Sequence, residues 1–339
     1  MSKKRLGFFT RLLDDVSAGE RYRLAEEQIF HAEALGFDSA WVAQHHFNAQ
    51  EGGLPSPLVF LAHAAARTSR IQLGTAILTL PLEQPIRVAE DAVVLDLLSG
   101  GRFEFGLGSG GTNSSFPPFG FDPANRGAIY GAHFKTLVDA LEGRALGEAG
   151  QRLYPEGVHL RKKFWQATFS AAGGTRAGEA GDGLLLSRSQ PRTPEAPRAK
   201  LWDLQHPIVD AYLAALPPGV APRLGGSRSV FVADTRSQAY DLAAEGIEKF
   251  HAFVLGNGGS VPSGSLTELL EIHDIHAGTA DDVIGSLKAD TVLDRVTDLI
   301  FQVHPVDPDH KFVLRSLELI AEKVAPALGW APAEVAHAR

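Results

Sequence analysis

One stretch, Ile71 to Asp122, limits the folds open to this chain. It begins with an apolar run, Ile71-Gln-Leu-Gly-Thr-Ala-Ile-Leu-Thr-Leu80, followed by Pro81-Leu-Glu-Gln-Pro85. A helix-period segment, Ile86 to Leu98, is closed by Ser99-Gly100-Gly101. A second apolar run, Arg102 to Gly108, then leads into a long polar loop from Ser109 to Asp122. Strand, loop, helix, strand, functional loop is the grammar of a parallel βαβ unit. Pro85 suits a first helical turn, and Gly100 suits the position just past a last one.

The glycines Gly106-x-Gly108-x-Gly110-Gly111 follow a strand and invite a dinucleotide reading. That reading requires the turn to open straight into a helix whose N-terminus holds a pyrophosphate. Here polar residues and Pro117-Pro118 follow, and a residue before proline avoids the helical region. No helix is expected until Asp122-Pro123, so the Rossmann reading is rejected. The glycines fit a strand end where backbone passes close to a flat ligand, or an ordinary flexible loop.

The same unit recurs along the chain. Expected strands are Leu6 to Phe9, Asp38 to Ala43, Ile71 to Leu80, Arg102 to Gly108, Phe164 to Phe169, Leu184 to Ser187, Ser229 to Ala233 and Val296 to Val303. Helices are expected at Tyr22 to Leu35, Leu58 to Thr68, Ile86 to Leu98, Pro123 to Leu146, Trp202 to Leu216, Thr235 to Phe253, Thr279 to Leu287 and Val313 to Leu328, with a short one ending at Ala180. A hairpin is expected around Glu156-Gly157, and exposed loops at Arg188 to Lys200 and Gly256 to Gly264. About eight β/α units indicate an α/β fold, a closed (β/α)8 TIM barrel formed as one domain over residues 1–339, with its active-site loops at the C-terminal mouth. A doubly wound open sheet is the second choice.

Composition excludes several functions. The formal charge of −8 gives no reason to expect nucleic acid or an anionic membrane as partner. The chain has no cysteine, which removes disulfides, thiolate chemistry and Cys-based metal sites. The basic start is followed by too short an apolar run for a signal peptide, and no stretch reaches membrane-spanning length. A soluble cytoplasmic protein is expected. No Gly-x-Ser-x-Gly elbow supports acyl-hydrolase chemistry.

Three places carry candidate chemistry. Ser170 to Thr175 combines two hydroxyls and two glycines ahead of a helix N-terminus, a setting that suits a phosphate or simply a capped helix. It follows the fifth strand, not the seventh or eighth, where barrel phosphate sites are commoner. His45 and His46 end the second strand, and alternation there would let only one face the mouth. Trp41 and Phe47 read as packing. His273-x-x-His276 has the spacing of two imidazoles on one helical face, but no carboxylate completes a ligand set, and no metal is expected. Arg161-Lys162-Lys163 reads as a solvated loop face.

Taken jointly, these segments resemble the flavin-dependent luciferase-like monooxygenases, over nearly the whole chain. The resemblance is densest at Asp38-Ser-Ala-Trp-Val-Ala-Gln-His-His-Phe47 and at Leu73 to Pro81, continuing through Gln84-Pro85-x-Arg87-x-Ala-Glu-Asp91, Leu95-Asp96 and Ser99-Gly-Gly-Arg-Phe103 to Gly106. Ser170 to Gly183 looks like the family's phosphate loop, and His276-x-Gly-Thr279 with Val324-Ala-Pro-Ala-Leu328 like its C-terminal end.

The resemblance implies a barrel binding reduced FMN at its C-terminal mouth. Ser170 and the backbone from Gly173 through Gly174 to Thr175 would hold the phosphate. Thr75, Ala76 and Ile77 would lie against the isoalloxazine, where the family has a non-prolyl cis peptide. His45 matches the catalytic histidine, and Ser109, Ser187 and Arg188 would approach the flavin. O2 would add at flavin C4a, giving a peroxyflavin that oxygenates a small organic substrate, with electrons from a separate flavin reductase and a homodimer as the assembly. Light-emitting members have a glutamate where this chain has Gln44, a cysteine and an arginine where it has Gly108 and Ser109, and an acidic residue where it has Ser115. These departures argue against aldehyde oxidation with light emission. The alternatives are a deazaflavin-dependent hydride-transfer enzyme, a flavin-binding protein without turnover and, more distantly, a zinc hydrolase. Substrate identity would reside in the loops 11–19, 48–54, 109–121, 188–200 and 253–265.

Overall fold

A computed structural model describes residues 4–303 and 308–332. Its strands are β1 (Arg5–Thr10), β2 (Ser39–Val42), β3 (Gln72–Thr75), β4 (Leu78–Thr79), β5 (Phe103–Gly108), β6 (Phe164–Ala167), β7 (Gly183–Leu186), β8 (Leu224–Val232), β9 (Ile275–Gly278) and β10 (Asp298–Gln302). Every pairing is parallel. The order β10-β1-β2-β3-β5-β6-β7-β8 closes on itself through β8–β10, giving a barrel of eight strands, with β4 and β9 as short additions. Around it lie α1 (Ala18–Ala34), α2 (Pro57–Ala65), α3 (Pro85–Leu98), α4 (Arg126–Leu141), α5 (Ala171–Glu179), α6 (Leu201–Ala215), α7 (Arg236–Gly256), α8 (Leu266–Ile272), α9 (Ala280–Lys288) and α10 (His310–Leu319). The open-sheet alternative is thereby excluded. Among the described residues no helix is long and apolar enough to cross a membrane.

Local chemistry accounts for the element starts. Ser17, Gln84, Ser170, Thr235 and Thr279 each accept a hydrogen bond from a backbone N–H in the first turn of the following helix. Thr279 and Asp282 cap each other reciprocally, with Asp in the role usually taken by Glu.

Four expectations need correction. The strand from Ile71 to Leu80 breaks into β3 and β4 at the cis peptide Ala76–Ile77. The strand at Ser229 starts earlier, at Leu224, because Gly225 fits against Ile300 and Leu185 inside the barrel. No hairpin forms at Glu156-Gly157; a cis Tyr154–Pro155 bond and a 3-10 turn at Val158–Lys163 occupy that region. The basic run is not simply solvated: Arg161 pairs with buried Asp182 at 2.9 Å, and Lys163 with buried Asp96 at 2.9 Å.

Parallel strands alternate their side chains between the barrel interior and the helix layer. Phe9, Trp41, Trp165, Leu185 and Ile300 fill the interior. The two indoles meet edge to face at 5.7 Å. Gly74 and Gly183 make room for them: a Cβ at either position would lie 2.3 Å from an indole carbon. Arg228 faces the other way, into the helix layer, and is fully buried. Its Nε donates to Asp290 at 2.5 Å and its Nη2 to Gln205 at 2.9 Å. Removing one partner of a buried pair strands the other charge, at a cost of about 3–5 kcal/mol. Arg228→Met should lower unfolding stability by about that amount in a urea titration, and adding Asp290→Leu should regain part of it.

Candidate active site

All barrel strands end on one side, where a cavity of about 590 Å3 opens. That volume is in the usual range for cofactor and small-molecule sites. Its floor is the interior cluster of Phe9, Leu185 and Ile300, with Ala76 and Ile77 beside them.

One end of the cavity is built on α5. Ser170 caps this helix, accepting from Gly173 N at 3.2 Å, while Thr168 Oγ1 accepts from Ser170 N at 3.1 Å. Arg176, further along α5, lines the cavity and is held by a chain of buried polar groups. Its Nε donates to Gln166 Oε1 at 2.9 Å, Gln166 Nε2 donates to Asp182 Oδ2 at 2.9 Å, and Arg161 donates to the other Asp182 oxygen at 2.9 Å. Burial pushes the Asp182 carboxyl upward in pKa, with Arg161 opposing it. The Arg176 guanidinium also lies over the Tyr130 ring, 5.2 Å from its centroid. Arg126 reaches the same cavity from the start of α4, donating to Asn113 at 2.7 Å.

The other end is built around the loop after β2. Gln44 stitches it to the cis peptide: Gln44 N donates to Ile77 O at 3.2 Å, and Thr79 N donates to Gln44 Oε1 at 2.7 Å. Gln44 Nε2 donates to Glu83 Oε1 at 2.6 Å and to Pro55 O at 3.2 Å. Burial raises the Glu83 pKa. Next along the chain, His45 packs against the backbone at Gly52, where a Cβ would lie 2.4 Å from the imidazole. Burial first, then the charges of Arg11, Arg188 and His46, lowers the His45 pKa to about 3, so the ring is neutral near pH 7. His46 stacks edge-on to Phe119 at 4.9 Å and lies 5.7 Å from Phe47.

The sequence expectations divide at this point. His45, Ala76, Ile77, Ser109, Ser170, Ser187 and Arg188 line one cavity. Thr75, Gly173, Gly174 and Thr175 do not. Thr75 points into the wall and donates to Gly106 O at 2.7 Å. A Cβ at Gly173 would meet Thr168 in the preceding loop, and one at Gly174 would meet Ile208 O on α6. The Thr175 hydroxyl donates back to Ala171 O at 3.2 Å. The rule that only one of His45 and His46 could face the mouth is corrected too. β2 ends at Val42, strand alternation no longer applies, and both histidines line the cavity. His273 and His276 diverge: His273 meets His251 at 2.9 Å, while His276 on β9 meets Ser286 at 2.9 Å. Among the described residues no group of three or more His, Cys, Asp or Glu could hold a metal ion.

Sequence reasoning overlooked most of the cationic part of the lining, Arg188 excepted. Among the described residues the lining contains Arg11, Arg126, Arg176 and Arg188, and neither Asp nor Glu, in a chain of net charge −8. A cavity of one sign with low-dielectric walls focuses its field on an anion. An isolated arginine carries no local signature; the only clue was that Arg176 shares the helix that Ser170 caps.

The family model for luciferase-like monooxygenases matches residues 6–297. The 4-hydroxyprotoasukamycin monooxygenase of Streptomyces nodosus subsp. asukaensis is 30% identical over 314 residues, 86% of this chain and 83% of that one. Matches to two uncharacterized Sinorhizobium fredii proteins span about half of those relatives, 51% and 46%. Among solved structures, the monooxygenase RslO1 of Streptomyces bottropensis superposes with a TM-score of 0.78 at 22% identity, covering 95% of this chain and 99% of that one. The oxygenating constituent of 3,6-diketocamphane monooxygenase from Pseudomonas putida, in complex with FMN, gives 0.73 at 20% identity, covering 96% and 98%. A coenzyme F420 dependent tetrahydromethanopterin reductase from Methanopyrus kandleri gives 0.68 at 18% identity, covering 96% and 100%. With its closed parallel barrel and a family match over most of its length, this chain belongs to the luciferase-like monooxygenases.

Proposed function

We propose that this protein is the oxygenase of a two-component system, binding reduced FMN and using O2 to oxygenate a small organic substrate. The observation that carries the reading is the cavity whose lining, among the described residues, holds four arginines and no carboxylate, with a Ser-capped helix at one end and His45 at the other. The donor set suits a phosphate-bearing flavin: Ser170 and Arg176, with Arg126, would take the phosphate, and Ala76, Ile77, Ser109, Ser187 and Arg188 would lie along the rings. Reduced flavin supplies the two electrons that split O2 into one transferred oxygen atom and water. The relay from Arg161 through Asp182 and Gln166 fixes Arg176 before any ligand arrives, which lowers the entropy cost of binding. His45, held neutral near pH 7 by burial, can donate its ring N–H as a hydrogen bond or accept one at the other ring nitrogen. The apolar floor of Phe9, Leu185 and Ile300 limits water around the reacting atoms. The electrons would come from a separate reductase, since the sequence carries no nicotinamide fingerprint. A deazaflavin cofactor with hydride transfer is the second reading; the likeness to the F420-dependent reductase supports it. A soluble, cytoplasmic homodimer remains the expected setting. Exposed Val94, Leu97 and Leu98 on α3, with Val59 on α2, offer an apolar face for the second copy.

Three outcomes follow. Arg176→Ala should weaken FMN binding by roughly 10- to 100-fold, the worth of a charge-assisted hydrogen bond, while riboflavin binding changes little. Fluorescence titration with both flavins reads this directly; equal losses would remove Arg176 from the phosphate site. Protein loaded anaerobically with reduced FMN and mixed with oxygenated buffer should show slow reoxidation through an absorbance distinct from that of oxidised FMN. Immediate reoxidation would favour deazaflavin chemistry or binding without turnover, and no flavin binding would end the cofactor assignment. The third concerns pH. The folded His45 pKa of about 3 lies below its ordinary 6.5, so between those values the unfolded chain binds more protons than the native one. This contribution therefore favours folding above pH 6.5 and is lost as pH falls toward 3. His45→Gln should flatten the acid limb of stability against pH in chemical denaturation; an unchanged limb would contradict the burial.

A further inference from the structure

We infer that Ser227, Ser229 and Gln302 form a hydrogen-bonding subsite for an uncharged oxygen group, carbonyl or hydroxyl, on the organic substrate. The inference rests on the oxygenase reading above for the identity of the occupant, but its geometry is independent of the flavin. Strands β8 and β10 are parallel neighbours, with Ser227 opposite Ile300 and Ser229 opposite Gln302. Gly225, two residues before Ser227, faces the barrel interior, since a Cβ there would lie 2.9 Å from both Ile300 Cδ1 and Leu185 Cδ2. Alternation then turns Ser227 and Ser229 inward as well, and the intervening Arg228 confirms the phase by reaching outward to Asp290 and Gln205. Ser227 and Ile300 line the cavity, as does Phe9, the β1 register partner of Gln302.

These side chains are buried and unpaired. Among the described residues Ser227 Oγ, Ser229 Oγ and both amide atoms of Gln302 have no hydrogen-bond partner; Ser227 lines the cavity, and Ser229 and Gln302 are fully buried behind the lining. An unsatisfied buried polar group costs stability, and one amide with two hydroxyls on adjacent strand ends is a concentration of such groups. Around them the interior is apolar: Phe9, Leu185 and Ile300. A mostly apolar wall with a few convergent polar groups is how proteins orient a neutral ligand. The set carries both donors and acceptors and no charge, so it suits a neutral oxygen. An anion would be drawn instead to the arginine-lined part of the cavity.

The test uses the full-length protein and three matched probes: cyclooctanone, cyclooctanol and cyclooctane. Trp41 and Trp165, inside the same barrel, report binding by fluorescence. Wild type should bind the ketone and the alcohol at least about tenfold more tightly than the hydrocarbon, the order expected of a satisfied buried hydrogen bond. Gln302→Leu, and Ser227→Ala with Ser229→Ala, should abolish that preference while leaving hydrocarbon affinity and the FMN Kd unchanged. Their Tm should be equal to or above wild type, because an isosteric apolar replacement removes an unpaired group. Three results would overturn the subsite: no preference in wild type, a preference that survives in the variants, or a Tm fall in Gln302→Leu with FMN binding intact, which would make the cluster a permanently hydrated structural network. Failure of FMN binding with the probe preference preserved would overturn the oxygenase reading and leave the subsite standing.

Discussion

Two indoles decide what the barrel can be used for. A closed ring of parallel strands has no free edge and brings its strand C-termini to one end, but that alone does not create a cavity, since small barrels are filled by their own side chains. Here Trp41 and Trp165 meet edge to face across the interior, and glycines on neighbouring strands yield the volume they need. Filling one level so completely leaves smaller or polar residues above it: Ala43, Ala76, Ala167 and Ser227. The cavity is the space those residues do not take. Its position and its apolar floor follow from that one packing choice.

The walls are then set by charge. In a chain of net −8, a cavity whose charged lining among the described residues is four arginines needs an explanation, because like charges repel and each costs solvation when drawn inward. Part of the answer is in the second layer. Arg176 is tied through Gln166 to Asp182, so its compensating carboxylate sits behind the wall and not in the cavity. The field that faces a ligand is therefore positive, while the protein beneath it stays balanced. The same field, added to burial, keeps His45 uncharged. A positively charged lining and a histidine that stays neutral beside it are two effects of one arrangement.

The repeat of strand and helix was readable from the sequence because apolar period and capping residues are local properties. Pro85, Gly100 and the Thr279 capping box all act within one turn, and each does what its position implies. What could not be read depends on packing between distant segments. β8 begins at Leu224 and runs through Gly225-Gly226, residues that disfavour strands alone and are chosen by the side chains opposite them. β9 is a short strand of half-exposed residues and gave no apolar run. Arg161 and Lys163 looked solvated because the buried acids that hold them, Asp182 and Asp96, are far away in the sequence. The site followed the same division. His45, Ser170 and the 76–77 peptide belong to contiguous motifs and were found, whereas Arg126 and Arg176 reach the cavity only because of where α4 and α5 dock.

Gln44 shows why a single departure from a family pattern has to be weighed with its neighbours. Light-emitting relatives have a glutamate at this position, and the change to glutamine looks at first like the loss of a charge. The amide, however, both accepts from Thr79 N and donates to Glu83. A carboxylate could do the first and not the second. With glutamate at 44, two carboxyl groups would face each other at the present 2.6 Å contact, and one would have to stay protonated. The acid has in effect moved one layer outward, to a buried Glu83 whose pKa is already raised, while the amide keeps the β2 loop, the Ala76–Ile77 peptide and His45 in register. The substitution therefore preserves the scaffold on which His45 stands and removes a titratable group from the cavity wall itself.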